Sequence, residues 1–159
     1  VRAAKNIRLR RNPAAVYFFK EDIRFRLNQA GALKKWIGRF FSDHKIQIQN
    51  INYIFCSDPY LRNLNKKYLQ HDYFTDVITF DNSIEKGKTE GDIYISIDRV
   101  RANAEKYKTT FEDELLRVII HGALHLTGYD DKSESQKKAM RMMEDQWLSV
   151  YKKQNLKAH

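Results

Sequence analysis

His121 and His125, four residues apart, are the side chains in this sequence best placed to do chemistry. On an α-helix such a pair shares one face, with Cβ atoms roughly 5–6 Å apart, so both imidazoles reach one ion. Gly128 can take the left-handed backbone conformation that ends a helix, and the reversed chain then carries Asp131 back toward the two rings. Two imidazole nitrogens and a carboxylate oxygen make a donor set for a divalent transition metal, zinc above all. A solitary His-x-x-x-His pair is common on helices that bind nothing. Here the glycine and the oxygen donor sit at the right offsets, and the other histidines, His44, His71 and His159, are scattered, which favours the metal reading.

The spacing from His121 through His125 and Gly128 to Asp131 is that of the His-Glu-x-x-His-x-x-Gly-x-x-His zinc proteases, with Asp131 in the place of the third ligand. The glutamate that serves those proteases as general base is absent, its position being Gly122, so chemistry other than peptide hydrolysis is expected. Three protein ligands leave a fourth position open, the mark of a catalytic rather than a structural zinc, and no cysteine stands nearby to close it.

The elements that must position this group are legible from periodicity. Thr109-Thr-Phe-Glu112 reads as a capping box opening the histidine helix, with Leu115, Val118, Ile119 and Leu124 facing inward. Ser133-Glu-Ser-Gln136 reads as a second box, ahead of a helix whose inner stripe is Ala139, Met140, Met143, Trp147 and Val150. Upstream, strands are expected at 16–19, at 46–55 with a kink near Asn50, at 77–80, and at 92–98, where Ile93, Ile95 and Ile97 share a face. Between them lie a helix at 32–41, a helix at 100–106 and a charged hairpin-like loop at 83–90. A further helix is capped by Ser57 or Asp58, has Pro59 in its first turn, and turns Leu61, Leu64 and Tyr68 inward.

At 159 residues the chain fits one domain with a proper core. The single cysteine, Cys56, excludes an intrachain disulfide, and no apolar run nears the ~18 residues of a membrane span. No signal peptide is visible, so a soluble cytoplasmic protein is expected. Net charge is +9, which points to a polyanionic partner; five cations and no acid fall within residues 1–11, leaving +4 on the rest. The expected organisation is a basic arm at 1–14, either a disordered tail or a cloning remnant, a single domain at 15–152, and a polar, fraying tail at 153–159.

His121-Gly-x-Leu-His-Leu-x-Gly-Tyr-Asp130, with Asn65-x-x-Tyr68, Asp72, Thr75-Asp-Val77, Phe80 and Gly91-Asp-Ile93 upstream, resembles the YbeY family of bacterial single-strand-specific endoribonucleases, the rRNA maturation factors. The likeness spans about residues 16–150. It implies an α+β fold, here a small mixed four-stranded sheet packed with about five helices, the central one carrying the metal site. It further implies one zinc ion per chain held by His121, His125 and Asp131, with His121 catalytic. The implied substrate is single-stranded RNA, in 16S rRNA 3′ end maturation and quality control of the ribosomal small subunit. The chemistry would be metal-assisted phosphodiester hydrolysis. Two positions depart from the family pattern: Asp131 stands where many members have a third histidine, and Leu69 where they have an arginine suited to hold a phosphate. Arg62, Lys66 and Lys67 are the cations nearest in sequence to take over RNA binding. The alternatives are a noncatalytic zinc-containing RNA-binding assembly factor, which Leu69 favours, and a metalloprotease, which Gly122 opposes.

Overall fold

The computed structural model describes residues 15–156; the basic arm at 1–14 and residues 157–159 lie outside the described residues. In chain order the elements are β1 (Val16–Lys20), α1 (Ala30–Asp43), β2 (Gln47–Cys56), α2 (Asp58–Leu69), β3 (Val77–Asp81), β4 (Lys88–Ser96), α3 (Ile97–Lys106), α4 (Phe111–Leu126) and α5 (Glu134–Leu156). The strands form one sheet in the order β1-β2-β4-β3, with β1/β2 and β2/β4 parallel and β3 antiparallel to β4 at the edge. Among the described residues this is the mixed four-stranded sheet with five helices that the sequence implies, an α+β fold.

Period-two alternation gives the sheet two buried faces. Tyr53 and Phe55 of β2 and Ile93 and Ile95 of β4 enter the principal core with α1, α4 and α5, while Cys56 and Ile78 meet Leu61 of α2 on the other face. Each fully buried side chain of this size contributes roughly 1.5–3 kcal/mol relative to exposure. Two polar atoms that go in with them find backbone partners: the Trp36 indole donates to the Trp147 carbonyl at 2.9 Å, and the Tyr53 hydroxyl to the Ile119 carbonyl at 3.0 Å. These two bonds lock α1 to α5 and β2 to α4.

Several boundaries differ from expectation for local reasons. The kink near Asn50 is a slip in the β2/β4 register between Ile48 and Asn50. Strand β4 begins at Lys88, earlier than expected, and ends at Ser96, whose hydroxyl accepts from the Arg99 amide at 3.1 Å and starts α3 at once, so Ile97 and Asp98 are helical. The cap of α4 is Thr110 rather than Thr109, its Oγ accepting from the Asp113 amide at 3.1 Å. The second box forms as read, with Gln136 N–H donating to Ser133 Oγ at 3.1 Å and Ser133 N–H to Gln136 Oε1 at 3.0 Å. Tyr68 and Ala139 face solvent instead of the core; Asn65 is buried on α2, its amide donating to the Tyr73 carbonyl, and Glu144 takes a place on the inner stripe of α5. Helix α5 runs on through Leu156, past the point where fraying was expected to begin.

Gly122 explains why no general base stands beside His121. A Cβ there would lie 2.7 Å from Cγ2 of Ile93, a fully buried residue of β4, so this face of α4 sits directly on the sheet and has no room for a glutamate. Gly122→Ala is expected to lower stability by about 1–3 kcal/mol through overpacking. At ~2–4 °C per kcal/mol for a chain of this size, thermal unfolding should show it plainly. An unchanged melting temperature would mean that α4 is not seated on Ile93.

Candidate metal centre

Helix α4 ends in a Schellman turn. Gly128, at φ +98°, donates its N–H to the His125 carbonyl and Tyr129 donates to the Leu124 carbonyl, each at 3.1 Å. The reversed chain brings Asp131 onto the histidine face, with its Oδ2 3.3 Å from His121 Nε2 and 3.5 Å from His125 Nε2. The two Nε2 atoms are themselves 3.0 Å apart.

The other ring nitrogens decide what this convergence means. His125 Nδ1 is 3.0 Å from the Tyr129 carbonyl, which can only accept, so Nδ1 carries the hydrogen. His121 Nδ1 donates in the same way to Glu144 Oε2 at 2.7 Å. Both Nε2 lone pairs therefore point at each other and at a carboxylate oxygen, an arrangement that calls for a cation in the middle. Ligand atoms around a tetrahedral ion bonded at ~2.0–2.1 Å stand roughly 3.3 Å apart, and the three observed separations bracket that value. The donor set fits zinc, and among the described residues this is the group of metal-ligating side chains so arranged.

A support network stands behind the rings. Glu144, 6% exposed, takes the His121 hydrogen on one oxygen and Arg117 Nη1 at 3.0 Å on the other, while Arg117 Nη2 reaches Asp145 at 2.6 Å. Burial pulls the His121 pKa down, but the hydrogen bond and charge of Glu144, helped by Asp76 and Asp131, raise it above the usual imidazole value. Burial pushes the Asp76 carboxyl up, with His121 pulling it partly back, and burial followed by the charge of Asp76 pushes Glu114 up.

His121 and Asp131 open on a cleft of about 630 Å³. Lys137, Lys138 and Arg141 of α5 line it, with Asp76 and Tyr107. Arg62, Lys66 and Lys67 do not: they lie on α2, where Arg62 donates to Asp72 at 2.8 Å and covers the Phe74 ring at 4.9 Å, while Lys66 and Lys67 are exposed. Leu69 is exposed at the end of α2 and does not line the cleft either. Sequence reasoning missed Glu144, Arg117 and Asp76 as parts of the site. The available signal for Glu144 was a charged residue in helical register with Met140 and Trp147, since an acid on a buried stripe must have a partner.

An α+β sheet with a helix-borne pair of histidines, joined by a carboxylate from the following turn, is an architecture that could hold a divalent metal ion. The model of the family described as endoribonuclease YbeY matches residues 19–152. The endoribonuclease YbeY of Cytophaga hutchinsonii is 52% identical over 86% of this chain and 96% of its own length. That of Amoebophilus asiaticus is 43% identical over 90% and 97%. A solution structure of a Thermotoga maritima protein superposes with a TM-score of 0.58 at 27% identity, covering 86% of this chain and 88% of that one. The chain belongs to the endoribonuclease YbeY family, and with it to the hydrolases.

Proposed function

We propose that this protein is a zinc-dependent, single-strand-specific endoribonuclease that acts in the cytoplasm on the 3′ end of 16S rRNA and in quality control of the small ribosomal subunit. The observation that carries the chemistry is the convergence of His121 Nε2, His125 Nε2 and Asp131 Oδ2 on one point, with no hydrogen-bond donor among them unless a ring is protonated. These three residues hold the ion, with His121 facing the substrate cleft. Zinc, when bound there, activates water and polarises a phosphoryl oxygen. Around it the protein's own side chains do the rest. Glu144 and the Tyr129 carbonyl fix the imidazole tautomers, and Asp76 supplies a carboxylate lining the cleft, its pKa raised by burial. Lys137, Lys138 and Arg141 meet the phosphates, in the role that Leu69 cannot fill. Lys66 and Lys67 extend the basic surface along α2.

A chelator-stripped sample should lose cleavage of single-stranded RNA and regain it with one equivalent of zinc, while casein stays intact throughout. Cleavage that survives stripping, or digestion of casein, would overturn the reading. The seating of Gly122 on Ile93 already argues against protease chemistry.

A further inference from the structure

We propose that residues 71–74, with Tyr68 at the end of α2, form a stacking surface for unpaired bases beside the cleft; this rests on the RNA-cleaving reading above. Tyr68, Tyr73 and Phe74, at 57%, 55% and 47% exposure, lie within seven residues of one another, whereas the other exposed large aromatics among the described residues, Tyr17, Phe19 and Tyr107, lie elsewhere in the sequence. They are held in place rather than loose. The His71 and Tyr73 rings stack at 5.2 Å with an interplanar angle of 22°, and the Tyr73 hydroxyl lies 3.1 Å from His71 Nδ1. The guanidinium groups of Arg62 and Arg99 lie 4.9 and 5.1 Å from the centre of the Phe74 ring. Tyr68 meets Phe80 edge-on and carries the Lys67 ammonium 5.2 Å from its ring centre.

Two features choose the occupant. Rigid exposed rings interleaved with cations are what single strands of nucleic acid need, because every base offers a π face and every linkage a negative charge. The cations of α2 supply the second half: Lys66 and Lys67 form no salt bridge among the described residues. The surface also adjoins the chemistry. Phe74 is two residues from Asp76, which lines the cleft, so their Cα atoms are at most ~7.6 Å apart. A strand laid across Tyr73 thus enters the cleft within a few nucleotides. A duplex keeps its bases stacked inside and cannot use such a surface, which supplies a physical basis for single-strand preference.

The test uses a nuclease-resistant 2′-O-methyl phosphorothioate oligoadenylate, alone or annealed to its complement, titrated against the zinc-loaded protein. Tyr73→Ala should weaken single-strand binding about 5- to 150-fold and leave duplex binding unchanged. Tyr73→Phe, which keeps the ring, should bind the single strand nearly as the parent does. Unchanged single-strand affinity in Tyr73→Ala, an equal loss on the duplex, or an equal loss in Tyr73→Phe each overturns the proposal. The first of these would leave the patch to a protein partner. Cleavage of ordinary RNA by the parent protein is measured alongside. Ring-dependent binding without cleavage would sink the endoribonuclease reading and keep the stacking surface, whereas cleavage with ring-independent binding would sink the surface alone.

Discussion

Alanine at His121 or at His125 is expected to abolish stoichiometric zinc and, with it, RNA cleavage. Each substitution removes one of three converging donors and leaves a two-ligand remnant. The loss should exceed the ~10–100-fold in affinity typical of removing an outer partner of a metal ligand. Asp131→His is the companion variant. The turn at Gly128 already delivers residue 131 to within 3.3–3.5 Å of both rings, and imidazole is as competent a third ligand as carboxylate. Zinc affinity should therefore be kept or tightened. Metal content of the purified proteins and calorimetric titration of stripped samples check all three. Full occupancy in both alanine variants would place the metal elsewhere, and complete loss in Asp131→His would remove Asp131 from the ligand set.

The convergence of His121, His125 and Asp131 was legible because it is local. His121, His125, Gly128 and Asp131 span eleven residues, and helix pitch plus one left-handed residue decide where their side chains go. The support behind it was not, because Glu144 reaches His121 only through the packing of α5 on α4, which no short spacing encodes. The same distinction runs through the fold. Strand β4 was under-read because its first half alternates Thr89 and Gly91 inward, positions that carry no hydrophobic signal. Gly91 is there for space: a Cβ would meet the Phe80 carbonyl at 2.7 Å and Leu126 at 2.9 Å. On α2 the stripe reading chose Tyr68 over Asn65. Burial went to the asparagine because its amide can donate to the Tyr73 carbonyl, which frees Tyr68 for the surface.

Glu144→Gln should lower zinc affinity about 10–100-fold while leaving the fold intact. Both oxygens of Glu144 accept, one from His121 Nδ1 and one from Arg117. A glutamine of the same shape has one accepting oxygen, so either His121 or Arg117 faces an NH2 group instead. The ion pair with Arg117 goes with the charge in either case; if the amide NH2 faces His121, the tautomer that frees Nε2 also loses its anchor, and if it faces Arg117, two donors meet. Glu144→Ala goes further, stranding a buried N–H and leaving Arg117 to Asp145 alone. Breaking such a pair typically destabilises by about 3–5 kcal/mol, so the glutamine variant is the cleaner probe. The pH profile separates positioning from mere packing. Zinc must displace the proton from His121, so in the parent protein affinity falls as pH drops through a pKa that Glu144 holds above the usual imidazole value. Removing the carboxylate charge lowers that pKa, and the fall in affinity should then set in at lower pH. A glutamine variant with parental zinc affinity and an unmoved pH profile would show that Glu144 merely fills space behind the ring.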